Sequence, residues 1–452
     1  MKLFVNDRGF YKSLMLIAVP IALQNLITVA VSMMDTLMIG QLGEVQLSAT
    51  SIANQLWFML MVVCFGVAGG ANVLIAQYWG KRDVEVIRRV EAMTYKIGMA
   101  AAVVFSCVAL FFPRQFMGIF TTEEAVIDFG VQYLRILGWS YPFYTAANLT
   151  IMMLRSVGTV NISIAVYLAS LVVNTSLNYV LIFGKFGAPR LEVRGGAVAT
   201  VCARLVEFGV AAGYLFLREK KIRFSLRDLL PSNRGFYKKY FTVSVPVIGN
   251  ELMWGIGTSI TAVVIGRMGT NFVAANSIYT VINQLVSVMI FGVGNAALTV
   301  VGNTIGAGEY EKAKQRSVTL LALSVVLGLF SAAVTLALGP VVISFYSFSE
   351  ATISIARGIT RVGALIVFFQ SLAITGMVGI LRAGGDAKFV LICETAFLWG
   401  VAVPLGFLTG LVLGWPAPAV FLCLKCDEIL KTVVSSFRIL GFKWLRDLTV
   451  RD

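Results

Sequence analysis

Asp35, Asn174, Asn178 and Thr200 are the residues of this 452-residue chain whose types and spacing point most directly to ionic chemistry. Each falls in a long apolar stretch, where an ionisable or strongly polar side chain needs a reason to be present. Asn174 and Asn178 are four apart, so a helix puts them on one face. Counted by helical rise from the ends of their stretches, all four groups sit at nearly one depth. A carboxylate with amide and hydroxyl oxygens at one level can hold a small hard cation or a proton. The plainer alternative is that the asparagines and the threonine hydrogen-bond from helix to helix. Spacing alone leaves both readings open.

Glu251 falls in the middle of a later apolar stretch, with no cationic residue one turn away on its own helix. Burial without such a cation would keep it neutral, which makes it a candidate substrate counter-ion or proton carrier. Met33 and Met34 flank Asp35 and would give a soft lining suited to varied apolar ligands. Arg204 with Glu207, and Lys425 with Glu428, are opposite charges three apart and are expected to neutralise one another. Glu394 and Asp427 have no partner evident in the sequence.

The elements that carry these groups follow from composition. Apolar residues make up 58% of the chain and charged residues 13%, and the mean hydropathy is +0.84. A soluble chain of this length needs far more charge to cover its surface. Runs long enough to cross a roughly 30 Å hydrocarbon core recur throughout, about twelve in all. The fold class is therefore an all-α polytopic membrane protein of twelve transmembrane helices. The fourth is expected at 130–154, the seventh at 240–265 and the twelfth at 416–440. The net charge of +14 does not indicate nucleic acid. With the N-terminus inside, inner segments carry roughly three times as many Lys and Arg as outer ones, which sets both termini in the cytoplasm.

Enzyme chemistry finds no footing. The chain has no histidine and no phosphate-cradling glycine loop. Its Cys423-x-x-Cys426 pair stands alone in an apolar helix, a poor zinc or redox site. No catalytic residue, cofactor or metal is expected, beyond a sodium ion at Asp35.

An internal repeat sets the architecture. RGFYK at Arg8–Lys12 returns at Arg234–Lys238, a shift of 226 that also relates Val19-Pro20 to Val245-Pro246 and Phe65-Gly66-Val67 to Phe291-Gly292-Val293. Six spans in each half leave the halves parallel, as two pseudo-symmetric six-helix bundles around a central cleft. The expected division is an N-terminal lobe at 1–217, a basic cytoplasmic linker at 218–239 containing Pro231, and a C-terminal lobe at 240–452.

These residues resemble the multidrug and toxic compound extrusion (MATE) antiporters over essentially the whole chain. The resemblance rests on MMDTLMIGQLG at Met33–Gly43, AVVIGRMG at Ala262–Gly269, the LRSVG and LRAGG turns, and NTSLNYVLIFG at Asn174–Gly184. It implies a V-shaped pair of bundles that exports cationic amphipathic compounds in exchange for protons or sodium ions. By residue, Asp35 matches the family's first-helix acid, Asn174 its fifth-helix asparagine and Thr200 its sixth-helix threonine. Asn178 stands where many members carry a second acid. Glu251 matches the seventh-helix acid of several branches, and Ser371 stands where some of those branches have its tenth-helix partner. The expected partners are small organic cations and membrane lipids, with the protein a monomer in a bacterial or archaeal cytoplasmic membrane. The alternatives are a flippase for lipids or lipid-linked sugars, and an intramembrane enzyme or sensor.

The charge bias yields a topology test. Cysteine introduced at Glu123 should react with a membrane-impermeant thiol reagent added outside, and cysteine at Arg223 only after the membrane is opened. The reverse pattern would invert the orientation.

Overall fold

The computed structural model describes residues 4–230, 234–346 and 349–450; Pro231 of the linker lies outside them. All regular structure among the described residues is helical. That follows from the solvent, since a backbone in hydrocarbon must satisfy its own N–H and C=O groups.

Twelve helical passes run Arg8–Gly40 (α1), Glu44–Gly80 (α2), Val84–Phe111 (α3), Glu124–Leu137 continuing through Tyr141–Ser156 (α4), Asn161–Phe183 (α5) and Val193–Leu217 (α6). The second half gives Arg234–Arg267 (α7), Thr270–Gly306 (α8), Tyr310–Ser344 (α9), Glu350–Leu381 (α10), Ala387–Val412 (α11) and Ala417–Lys425 with Asp427–Leu440 (α12). Ten of these are long and apolar enough to cross a membrane unbroken. The exceptions are α4, interrupted by a tight 3₁₀ turn at Gly138–Ser140, and α12, broken at Cys426 and laden with Lys425, Asp427, Glu428 and Lys431. Three wide π-helical stretches, Ile374–Leu381, Thr395–Ala402 and Leu408–Val412, widen α10 and α11.

By packing, the chain forms two compact units. One takes in the described parts of Met1–Ala22, Val73–Asp83 and Lys239–Asp452; the other those of Leu23–Asn72 and Val84–Lys238. The units and the repeat halves therefore differ in where the start of α1 and the end of α2 belong. α1 changes unit between Ala22 and Leu23, two residues past Pro20, which sits inside the helix without its backbone donor.

Close approach by small residues holds the first unit around α8. A Cβ on Gly306 would lie 1.7 Å from the Gln77 carbonyl oxygen, one on Gly80 would lie 2.0 Å from the Asn303 carbonyl, and one on Gly292 would meet the Ala18 carbonyl at 2.8 Å. Gln77 then ties the end of α2 down, donating to the Ala383 carbonyl at 2.8 Å and accepting from the Leu448 N–H at 2.7 Å. An apolar core of Phe272, Ile282, Val367 and Phe421 completes that unit. The other is centred on Leu60, Met117, Leu134 and Tyr141.

Gly306→Ala should accordingly destabilise the purified protein by about 1–3 kcal/mol through overpacking. Gly209→Ala, where an added Cβ meets nothing within 4 Å, should not. Equal melting temperatures for the two variants in detergent would refute the close approach of α2 and α8.

Candidate functional site: a buried polar layer around Asp35

Asp35 stands one and a half turns before the end of α1, and the asparagines face it from α5. Two glycines set this geometry. Gly184, at φ 66°, takes the left-handed conformation that ends α5. Gly195 lets α6 press against α5, since a Cβ there would lie 2.7 Å from the Leu181 backbone.

The Asn178 side-chain amide donates to Asp35 Oδ1 and also to Asn174 Oδ1, the latter at 3.1 Å. Asn174 lies within reach of the same carboxylate. Both asparagines are buried, at 1% and 0% exposure, while Asp35 itself is half-buried. Asn178 Oδ1 has no hydrogen-bond partner. A buried acceptor left open beside a carboxylate is an uncompensated negative surface, and it invites a proton donor or a small cation. Oxygen is the only donor atom offered, which fits a hard monovalent ion. No three His, Cys, Asp or Glu residues converge as a metal site among the described residues.

Thr200 joins the layer indirectly. Its hydroxyl donates to the Gly196 carbonyl at 3.0 Å, back along its own helix. The link to Asp35 runs through Tyr133 on α4, which interacts with Thr200 and Asn54 and feels the charges of Asp35 and Arg204. Tyr133 and Asn54 were missed from the sequence, where attention fell on acids and on the α5 asparagines. The signal available was the set of tyrosines along α4, at 133, 141 and 144. Met33 is exposed and Met34 half-buried; neither contacts the layer through a polar group.

Arg204 is held beneath this layer by the expected neighbour. Its Nη1 donates to both Glu207 oxygens at 2.8 Å, Ser170 donates to the same carboxylate at 2.6 Å, and the guanidinium lies 4.8 Å from the Tyr144 ring centre. The charge of Arg204 reaches Asp35.

Two expectations for the second half need correction. Glu251 is not a lone carboxyl: Arg382, at the end of α10, approaches its Oε1 at 2.8 Å. The partner comes from another helix, 131 positions on, where a search along the same helix does not look. With its charge answered by Arg382, Glu251 is an ion-paired carboxylate and not the unpaired one expected from its own helix. Lys425 is likewise not the direct partner of Glu428. Lys431 occupies the centre instead, 2.6 Å from Glu394, 2.7 Å from Asp427 and 3.9 Å from Glu428, which also gives the two unassigned acids their partner. Ser371 donates to the Ser324 carbonyl at 3.0 Å.

Among the described residues, twelve helical passes with a buried polar layer around Asp35 fit the class of membrane transporters. The chain belongs to the MatE family, whose model matches residues 20–180 and again 246–408. The two matches begin at Pro20 and Pro246, the 226-residue shift of the repeat. Among curated relatives, the chain is 26% identical over 446 residues to the probable multidrug resistance protein NorM of Thermotoga maritima, covering 96% of this chain and 93% of that one. It is 26% identical over 433 residues to the probable multidrug resistance protein YoeA of Bacillus subtilis, covering 90% of each. Among solved structures, an outward-facing multidrug resistance MATE family transporter of the MOP superfamily aligns with a TM-score of 0.86 at 18% identity, over 97% of this chain and 99% of that one. That likeness shows the shared fold.

Breaking the buried Glu251–Arg382 pair from one side should be costly. Arg382→Gln is expected to destabilise the protein by about 3 kcal/mol, because it strands a carboxylate. Adding Glu251→Gln should recover part of the loss. Strictly additive losses in thermal unfolding would show that the pair is not coupled.

Proposed function

We propose that this protein is a secondary antiporter that exports cationic amphipathic compounds in exchange for one monovalent cation, a proton, bound at Asp35. The observation that carries the reading is the open acceptor Asn178 Oδ1 beside Asp35, the only carboxylate in its layer among the described residues. One carboxylate exchanges one charge, and with its ion bound the layer becomes neutral and can tolerate a drier helix. Asn178 in place of a second acid lowers the negative charge on offer, which favours a proton over sodium. Membership of the MatE family and the multidrug resistance names of the relatives support export of organic cations. The same reading keeps the protein as a monomer in a cytoplasmic membrane with both termini inside.

The energetics are adequate. One-for-one exchange of a proton for a monovalent organic cation moves no net charge, so the drive is the proton concentration gradient, worth about 1.4 kcal/mol for each tenfold difference.

In proteoliposomes, an imposed proton gradient should drive efflux of a fluorescent organic cation, and Asp35→Asn should abolish that drive while leaving binding in detergent largely intact. Efflux driven by a sodium gradient alone would change the ion and keep the site. Undiminished efflux by Asp35→Asn under both gradients would move the coupling site elsewhere.

A further inference from the structure

A second carboxyl lies buried in the same unit, away from Asp35. Glu91 sits two turns into α3, about 10 Å along its axis from Val84. It is 1% exposed, its Oε1 has no hydrogen-bond partner, and among the described residues no cation acts on it. The charged groups around it are engaged elsewhere. On its own helix, Arg88 Nε donates to the Ile222 carbonyl at 2.7 Å, Arg89 pairs with Glu85, and Lys96 is exposed. From α4, Arg155 donates to Gln24 Oε1 at 2.8 Å. From the linker, Lys221 Nζ donates to the Val157 carbonyl at 3.0 Å and to Thr159 at 2.8 Å, while Glu219 accepts the backbone N–H groups of Lys221, Ile222 and Arg223.

That linker segment covers the end of α3. Ile222 and Phe224 are buried, and the Phe224 ring centre lies 5.6 Å from that of Tyr95. Tyr95, one turn beyond Glu91, feels its charge and shares a hydrogen bond with Thr150. An ionised carboxylate with no partner in such a dry site costs several kcal/mol. Glu91 therefore stays a neutral acid while the segment covers it, and can lose its proton only when water enters.

One helix joins this carboxyl to the Asp35 layer. Along α4, Tyr133 interacts with Thr200 near Asp35, Tyr144 lies against Arg204, Asn148 bonds to Tyr167, and Thr150 meets Tyr95. We propose that Glu91 is the inner proton station of the transporter, supplied from Asp35 by way of α4, which places Tyr133 near one carboxyl and Thr150 against Tyr95 beside the other, and emptied to the cytoplasm when residues 219–225 lift from α3. This rests on the reading of Asp35 as a proton site. Each step conserves charge: the Glu91 acid gives its proton to cytoplasmic water and becomes the anion. Asp35 then gives up its own proton, and the Glu91 carboxylate takes one up, forming the O–H bond again.

The test uses the full-length protein, with ethidium as the exported cation. Glu91→Gln and Tyr95→Phe should bind ethidium in detergent as the unaltered protein does, yet slow proton-driven efflux by about tenfold or more. Both should flatten its dependence on internal pH, and Glu91→Asp should restore part of the rate. Should Glu91→Gln fail to fold, Tyr95→Phe, which keeps the ring, decides alone. If efflux rate and internal-pH profile are unchanged in these variants while Asp35→Asn has lost proton drive, the inner station is overturned and the Asp35 reading stands. If Asp35→Asn itself keeps proton drive, it is the Asp35 reading that fails. Loss of ethidium binding together with efflux, unrestored by Glu91→Asp, would mark Glu91 as structural and overturn the proposal.

Discussion

A charge carried into an apolar interior has to be answered, and the arrangement of this protein's polar side chains follows from that constraint. An uncompensated buried ion costs several kcal/mol, more than any single helix contact returns. So Arg204 lies on Glu207, Arg382 on Glu251, Lys431 among Glu394 and Asp427, and Arg438 on Asp386. The Arg382–Glu251, Lys431–Glu394 and Arg438–Asp386 pairs tie helix to helix, while Arg204–Glu207 and Lys431–Asp427 lie along one helix. What they leave over is informative: Asp35 has amide donors in place of a salt-bridge partner, and Glu91 has neither. Groups answered by a fixed countercharge hold the scaffold, and on the function proposed above the two without one are those free to exchange a proton.

The repeat shows the same division. Arg155 and Arg382 occupy equivalent positions in the LRSVG and LRAGG turns, and each reaches the equivalent helix of its half. Arg382 finds a carboxylate there, whereas Arg155 finds the neutral Gln24. The second half has turned its pair into a permanent lock. Among the described residues of the apolar spans, the carboxyls without a salt-bridge partner are Asp35 and Glu91, both in the first half of the sequence.

Much of this was legible in the sequence because the bilayer permits few solutions. Hydrophobic runs of membrane length leave little choice but twelve helices, and a constant 226-residue shift requires two parallel halves. The association of Asp35 with Asn174 and Asn178 followed from helix periodicity and depth. Contacts between distant helices were not legible, since nothing near Glu251 announces Arg382, and the choice between Lys425 and Lys431 as partner for Glu428 depends on a break at Cys426 that hydropathy does not register. Tyr133 escaped notice because a phenol in an apolar run reads as packing until its neighbours are known. Glu91 lies among Arg88, Arg89 and Lys96 in the sequence, and its burial depends on the linker folded over that end of α3.

The central claim is that substrate is exchanged for a proton held at Asp35, and calorimetry in buffers of different ionisation enthalpy tests it most directly. Binding of an organic cation to the purified protein should show an enthalpy that rises or falls with buffer ionisation heat, with a slope near one proton released per substrate bound. The Asp35→Asn protein should bind with a slope near zero. An unchanged slope in Asp35→Asn, or a zero slope in the unaltered protein, would contradict the account.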